Sequence, residues 1–204
     1  MTTKPWVRRA EPSEAEEVAR AFAAASVDEV VTAWILADQP DFAAAYREEY
    51  VPEMIATALR DDEVWIAGAD DEIWTISVWQ KVVGPDRLAA DLQRARALFD
   101  SAPVQPARRL LALTNVMAET HPAEFPHSYL QVIVTLPQHR GAGGGAAIVT
   151  ERAKAAADAG RPAYLEASTE RSARLYARCG FTHTGALIHL PEGGPILRPM
   201  WCRG

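Results

Sequence analysis

The 204-residue chain has few of the features that mark secreted, membrane or nucleic-acid-binding proteins. Cysteine occurs only at Cys179 and Cys202, and the stretch "MTTKPWVRRAEPSEAEE" lacks the apolar core of a signal peptide, so we expect a cytoplasmic protein. No apolar run approaches the roughly 20 residues that cross a bilayer. No Lys/Arg run exceeds a pair and the formal net charge is -6, which argues against a nucleic-acid partner. No His, Cys or carboxylate cluster has metal-binding spacing, so we expect no metal.

The composition that remains is that of one globular domain. Hydrophobic residues make up 49% of the chain and charged residues 24%, which is enough for a sizeable core and for a single domain over residues 1–204. The patterns of apolar residues mix strands with helices, which indicates a mixed α/β class. The predicted strands lie at 6–9, 63–68, 72–79, 127–136, 163–167, 181–190 and 195–201. The predicted helices begin at a Ser13 cap and cover most of 14–60, then 86–99, 106–119, 146–159 and 170–180. The strand at 127–136 is too apolar for a half-exposed position, so it should be central in its sheet.

A glycine run, "RGAGGGAAIV", stands between this central strand and the next helix. Each glycine in place of alanine costs roughly 0.5–1 kcal/mol, so the run needs a reason. A Walker loop is excluded because Ala146 and Ala147 occupy the Lys and Ser/Thr positions. A dinucleotide fingerprint, Gly141-x-Gly143-x-x-Ala146, is disfavoured because four residues separate it from the strand and fewer than 60 residues follow it. The remaining interpretation is a loop whose bare N–H groups wrap a pyrophosphate at a helix entrance.

Two motifs together resemble the GNAT superfamily of N-acetyltransferases. Arg140-x-x-Gly143-x-Gly145 resembles its acyl-CoA loop, and "YLEASTERSARLYARCGFTHTG" resembles its second motif. The order of the remaining segments is similar to that of puromycin N-acetyltransferase and related small-molecule enzymes. The resemblance implies the GNAT fold: a mixed, mostly antiparallel sheet of about 6–7 strands flanked by helices, with a cofactor cleft between the two central strands. It also implies acetyl-CoA as cofactor, held by residues 127–180, with the N-terminal half, including Phe22, Trp34, Phe42 and Tyr46, mainly on the acceptor side.

The resemblance also implies individual site residues. It assigns the pantetheine amides to the backbone of the central strand and the pyrophosphate to the glycine loop, and Ser172 stands where the superfamily often has an Asn that contacts the cofactor. His139 is a further candidate for the phosphate. The cofactor-binding candidates are Ile133, Val134, Thr135, Arg140, Gly141, Ala142, Gly143, Gly144, Gly145 and Ser172.

Two residues are candidates for the chemistry of acyl transfer. Gly180 and Phe181 form a helix stop that would fix Tyr176, a phenol able to protonate the leaving thiolate. The thioester oxygen would be stabilised by a backbone N–H near Val134. Glu166 is the first candidate for the base that deprotonates the amine, and His121, His127 or water remain alternatives.

The function expected from these residues is acetyl transfer from acetyl-CoA to a primary amine of a small molecule, by direct attack in a ternary complex. The acceptor could be of antibiotic or aminonucleoside type, the donor could be a longer acyl-CoA, and the protein could be a monomer or a homodimer. A non-catalytic acyl-CoA-binding module and a protein or peptide N-acetyltransferase remain alternatives. We expect no nucleic-acid or membrane partner.

Overall fold

A computed structural model describes residues 4–204. It shows one eight-stranded sheet, whose strands come from the N-terminal, central and C-terminal parts of the sequence. Its order is β1-β2-β3-β4-β5-β8-β6, with β7 paired to β8. Only β4 and β5 are parallel, and every other described pair is antiparallel. The strands are β1 (Trp6–Arg9), β2 (Glu63–Ala69), β3 (Glu72–Val82), β4 (His127–Thr135), β5 (Ala163–Ala167), β6 (Thr182–His183), β7 (Ile188–His189) and β8 (Ile196–Cys202).

The predicted fold class is confirmed: the sheet is mixed, mostly antiparallel and flanked by helices. It has one strand more than the upper expectation, because the strand predicted at 181–190 is divided into β6 and β7. Gly185 lies between them at φ 76°, a left-handed conformation that ends extended structure. The helices are α1 (Ala15–Ser26), α2 (Val30–Leu36), α3 (Pro40–Ala45), α4 (Val51–Asp61), α5 (Asp86–Ser101), α6 (Gln105–Thr120), α7 (Gly144–Asp158) and α8 (Glu170–Arg178).

The sheet separates two apolar layers. On one face, α1 and α4 cover the strands; the α1 residues Val18 and Phe22, spaced by one helical turn, pack there with Ile66 and Ile76, a directly opposed pair of β2 and β3. On the other face, α7 and α8 pack over β4 and β5. Because side chains alternate along a strand, each inner strand supplies both layers, which explains why the central strands are apolar nearly throughout.

The start of α1 differs from the prediction. Ser13 is not the helix cap; it lies in a 3-10 turn, Pro12–Glu14, that precedes the helix. Glu14 Oε2 accepts the Glu11 N–H at 2.7 Å. Glu14 thus closes a capping box whose N-cap is Glu11, two residues earlier than a Ser13 cap would place it.

Helices α7 and α8 both end just before a left-handed glycine. Gly160 (φ 65°) and Gly180 (φ 94°) are left-handed at the two helix ends. After α8, the Phe181 N–H donates to the Tyr176 carbonyl at 3.0 Å and the Gly180 N–H donates to the Ala177 carbonyl at 3.2 Å, which is the bond pair of a Schellman motif. The predicted stop at Gly180 and Phe181 is confirmed, and it fixes Tyr176 three residues before the end of the helical hydrogen bonds.

Candidate functional site

The sheet opens in its middle. The parallel ladder between β4 and β5 covers only Ser128–Leu130 on one strand and Ala163–Leu165 on the other. Beyond Leu130, β4 continues to Thr135 paired with β3 alone, while β5 continues to Ala167 paired with β8. The separation begins at a bulge, since Leu130 and Val132 have partners on β3 and Gln131 has none. The edge of β4 that faces β5 is therefore free over 131–135.

A cavity of about 760 Å³ lies where these strands separate. Its floor is the strand region around Tyr129–Ile133 and Leu165–Glu166, and Ser168 and Tyr176 line it beside β5. Its walls come from α1–α6 and from a π-helical turn, Tyr46–Tyr50, between α3 and α4. They include Phe22, Phe42 and Tyr46, three of the four aromatics expected on the acceptor side. Trp34, the fourth, does not line the cavity; it packs with Ile188, Leu190 and Leu197.

Glu166 places a buried carboxyl group at the cavity. Its side chain is 5% exposed, and its Oε2 accepts the Tyr129 hydroxyl at 2.8 Å. Its Oε1 is buried and has no hydrogen-bond partner among the described residues. Burial raises the pKa of Glu166 from 4.5 to about 7, because the charged form loses its hydration. A carboxyl group with such a pKa exchanges a proton near neutral pH, as a general base requires.

Tyr176 lines the same cavity from α8. The side chain is buried, with 7% of its surface exposed, and its ring lies 6.3 Å from that of Phe181. The described residues provide no hydrogen-bond acceptor for the hydroxyl group. Burial raises the pKa of Tyr176, with a further contribution from the charge of Glu29, so the phenol stays protonated around neutral pH. The structure thus brings the two catalytic candidates, Glu166 and Tyr176, to one cavity.

The glycine loop connects the free half of β4 to α7. Gly141 (φ 87°) and Gly143 (φ 95°) are left-handed, and an added Cβ at either would meet no atom within 4 Å, so the space over them is open. Gly144 has a different role: a Cβ there would lie 2.5 Å from Thr75 Oγ1 on β3, so this glycine lets α7 begin directly against the sheet. No side chain caps α7. Within 4–204, the N–H groups of 143–146 have no acceptor, as is typical of an anion site at a helix entrance.

The remaining cofactor candidates have partners within the protein. The Arg140 guanidinium binds both Asp28 carboxylate oxygens, at 2.5 and 2.6 Å, and this side-chain hydrogen bond raises the pKa of Arg140. The Ser172 hydroxyl donates to the Thr169 carbonyl at 2.9 Å and accepts the Thr169 N–H at 3.1 Å, so it closes a capping box at the start of α8. His139 stacks on Trp74, with 4.9 Å between ring centres.

The strand candidates divide between the cavity and the core. Ile133 lines the cavity, whereas Val134 is buried against α1 in the opposite layer. The Thr135 hydroxyl lies 3.0 Å from that of Thr75. All three are candidates because of their backbone N–H and C=O groups, which lie on the free edge of β4.

His121 and His127, the alternative bases, lie behind Glu166 and do not line the cavity. The His121 side chain is 1% exposed and His127 is fully buried. Their Nε2 atoms are 3.0 Å apart, and His127 Nδ1 lies 2.7 Å from the Glu124 carbonyl oxygen. His121 Nδ1 lies 4.0 Å from Glu166 Oε1. Burial lowers the pKa of both histidines, that of His121 to about 4, so both are neutral at pH 7.

Two buried polar residues of the central strands line the cavity, and the sequence did not single them out. Tyr129, the donor to Glu166, and Gln80 face each other across β3 and β4, and both line the cavity. Gln80 is 4% exposed, and its Nε2 has no hydrogen-bond partner among the described residues. An amide in the apolar stretch "ISVWQKV" is the one sequence signal that could have found Gln80; nothing local marks Tyr129.

Residues 4–204 contain neither a metal-binding cluster nor a membrane-spanning helix. No group of three or more His, Cys, Asp or Glu side chains in this part of the chain could hold a metal ion. None of its helices is long and apolar enough to span a membrane.

Comparisons with known proteins identify similar chains. Residues 107–181 match the model of the Acetyltransferase (GNAT) family. A Corynebacterium glutamicum structure named histone acetyltransferase HPA2 and related acetyltransferase has a TM-score of 0.70 at 23% identity, with 98% of this chain and 96% of that chain covered. An agmatine N-acetyltransferase gives 0.74 at 17% identity, with 99% and 100% covered. Drosophila melanogaster polyamine N-acetyltransferase, which forms N-acetylagmatine, gives 0.72 at 17% identity, with 98% and 100% covered. At these identities the likeness is one of fold.

Proposed function

We propose that this chain is an N-acetyltransferase that acetylates a primary amine of a small molecule, because residues 107–181 match the GNAT acetyltransferase family model and residues 4–204 have the GNAT fold. Acetyl-CoA, the donor that the family uses, supplies the acetyl group as a thioester. The observation that carries the proposal is the single cavity at the separation of β4 and β5, which Glu166 and Tyr176 both line.

The free edge of β4 and the glycine loop beside the cavity suit coenzyme A. A pyrophosphate is an anion, and the loop presents the N–H groups of 143–146, which have no acceptor among the described residues, at the positive end of the α7 dipole. The free edge of β4 at 131–135 offers backbone groups to an extended chain carrying amides, as a neighbouring strand would. The strand edge leads directly into the loop, so one continuous surface connects the cavity with the anion site. We assign these positions, with Ile133, Val134 and Thr135, to the cofactor.

The cavity lining suits an amine with an apolar body. Five carboxylate residues line it against one arginine, and this imbalance favours a cationic ligand. The rest of the wall is mostly aliphatic and aromatic, with Phe42 and Tyr50 partly exposed within it. Helices from the N-terminal half wall the cavity, which favours a small molecule over an extended peptide. The charged lining residues are Glu29, Glu49, Glu53, Asp91, Glu166 and Arg94.

In the proposed mechanism, Glu166 is the general base. The ammonium group of the acceptor must lose a proton before its nitrogen can attack the thioester. Because Glu166 Oε1 is sealed, the proton reaches the carboxylate from the side of Tyr129: the Tyr129 hydroxyl gives its own proton to Oε2 and takes one from the amine. Burial raises the pKa of Tyr129 well above its usual value, so a free phenolate is avoided and the two transfers are coupled.

Tyr176 is the proposed proton donor to the leaving sulfur. Its raised pKa keeps the hydroxyl protonated, the α8 stop fixes the backbone that carries the ring, and the ring itself is buried. A protonated phenol can give a hydrogen bond to a developing thiolate and then transfer the proton. The proposed attack is direct, in a ternary complex; neither Cys179 nor Cys202 lines the cavity, which disfavours a thioester acyl-enzyme.

Mass spectrometry of a panel of small primary amines incubated with the protein and acetyl-CoA tests the proposal. We expect N-acetylated products from apolar amines, and loss of product in Glu166→Gln with coenzyme A binding retained by calorimetry. Coenzyme A binding without product from any amine would contradict catalysis and favour a binding module. Acetylation of peptides in preference to the amines would contradict the small-molecule acceptor.

A further inference from the structure

Two buried polar atoms face each other behind the cavity, and neither has a hydrogen-bond partner among the described residues. They are Glu166 Oε1 and His121 Nδ1, 4.0 Å apart. Each belongs to a side chain that is at least nine-tenths buried. Buried polar atoms without partners are rare in native proteins because each costs about 1–3 kcal/mol. A proton between these two atoms would satisfy both.

The hydrogen bonds of the two histidines determine where their protons lie. The Glu124 carbonyl can only accept, so His127 Nδ1 carries a proton and donates it. In a neutral His127, Nε2 is then an acceptor, and its partner 3.0 Å away, His121 Nε2, must donate. In a neutral His121 this leaves Nδ1 as a bare lone pair directed at Glu166. The hydrogen bonds of the two histidines thus leave His121 Nδ1 as a hydrogen-bond acceptor next to the Glu166 carboxyl group.

We propose that His121 is a positioning residue for Glu166: its Nδ1 accepts a hydrogen bond from the protonated carboxyl group and so strengthens the carboxylate as a base. When Glu166 takes up the amine's proton, rotation of the carboxyl group turns its O–H towards His121, while the other oxygen keeps accepting from Tyr129. The gap of 4.0 Å is about 1 Å longer than a hydrogen bond, which a small side-chain movement closes. When Glu166 is ionised, a lone pair faces a negative oxygen, and this contact disfavours the charged form.

No other group near Glu166 is placed to accept a hydrogen bond from its protonated carboxyl group. The titratable side chains facing the pair are those of Tyr129, Tyr164 and His127, with Asp91 of α5 acting on Tyr129. Tyr129 already donates to Oε2, and hydrogen bonding by the Tyr129 and Tyr164 hydroxyl groups lowers the pKa of Glu166, so both phenols favour the ionised carboxylate and do not take up its proton. The β8 residue opposite Glu166 is Pro199, which has no ionisable group. The proposal rests on the proposed function for its catalytic meaning, but the shared proton is a property of the protein alone.

The experiment is a pH titration of the Glu166 carboxyl carbon by NMR in the protein without ligands, with the signal assigned by Glu166→Gln. We expect His121→Phe, which removes the lone pair, and His121→Asn, whose N–H can donate to the carboxylate, to lower the proton affinity of Glu166 about tenfold. The low-pH limb of kcat/KM should move down by the same amount. His183→Phe, at an exposed histidine outside the cavity, should leave the midpoint unchanged.

The outcomes separate the two proposals. A protonated Nδ1 in the nitrogen spectrum of His121, or an unchanged Glu166 midpoint in both folded variants, would overturn the positioning role whatever the activity. A lost activity without a shift in the pH profile would show a merely structural histidine and overturn it as well. A shifted midpoint in a protein that acetylates no amine would support the shared proton and refute the proposed function instead.

Discussion

Replacing Glu166 with glutamine removes a carboxyl group that the fold makes costly to ionise. In the unfolded chain its pKa is near 4.5, and in the folded protein burial raises the pKa to about 7. Below about pH 4.5 the group is protonated in both states and contributes no pH dependence. As the pH rises from 4.5 to 7, the unfolded state loses its proton first, so the folded state is progressively disfavoured.

The size of this effect follows from the shift of the pKa. The difference between 4.5 and about 7 is about 2.5 pH units, and each unit corresponds to about 1.36 kcal/mol, so ionisation of Glu166 costs the wild-type protein about 3 kcal/mol above pH 7. Glutamine does not ionise. The unfolding free energy of the wild type minus that of Glu166→Gln should therefore fall by about 3 kcal/mol between pH 4.5 and pH 8.

Urea unfolding followed by tryptophan fluorescence, repeated at half-unit steps of pH, measures this difference. The difference is the relevant quantity because burial lowers the pKa of His121 and His127, and the stability due to their neutral forms is lost as the pH falls, in the opposite direction. Glu48→Gln, at an exposed glutamate that forms no salt bridge within residues 4–204, is the control for the loss of one carboxyl group, and its difference should change much less than that of Glu166→Gln. A flat or rising difference for Glu166→Gln would refute the idea that its carboxylate is buried and poorly compensated.

Four further substitutions test the proposed acid, the packing of the glycine loop against the sheet and the proposed anion site. Tyr176→Phe should lower kcat at least about 100-fold and leave coenzyme A affinity by calorimetry unchanged; unchanged turnover, with chemistry rate-limiting, would exclude the phenol as acid. Gly144→Ala should lower the unfolding free energy by about 1–3 kcal/mol, since the added Cβ would lie 2.5 Å from Thr75 Oγ1. Gly145→Ala is the matched control: its Cβ would have its nearest atoms 3.9 Å away, so the unfolding free energy should change by less than about 1 kcal/mol. Equal losses in urea unfolding would contradict this packing. Gly143→Ala should strain the left-handed loop by about 1–2 kcal/mol and weaken coenzyme A binding in calorimetry, and an unaltered affinity would contradict the loop as the anion site.

The elements that the sequence predicted well depend on local physics. The hairpin of β2 and β3 follows from alternating aromatic and β-branched residues, and the stop after α8 follows from the pair Gly180–Phe181, since a left-handed residue and its following apolar neighbour act within one turn. The position of β4 inside the sheet followed from its apolar character. Such features involve residues only a few positions apart.

The features that the sequence did not predict depend on distant partners. Asp28, which binds Arg140, lies 112 positions away in the chain, and His121 lies 45 positions before Glu166. The bulge at Gln131 has no local signature, because it arises from the mismatch between β3 and β4. Ser172 matched a motif position, but its hydroxyl is engaged by Thr169, which only the geometry reveals. The narrower resemblance to puromycin N-acetyltransferase stays a prediction.

The separation of β4 from β5 gives this sheet a third edge, inside the protein. Ordinary edges stand at the two ends of a sheet, where a foreign strand can add to them and start aggregation. The edge at 131–135 carries the same unsatisfied backbone groups, but helices and the neighbouring strand flank it, so a folded polypeptide has no room to reach it. A thin, flexible molecule does. The fold therefore shields this edge from other proteins, and in the proposed function the edge pairs with the cofactor.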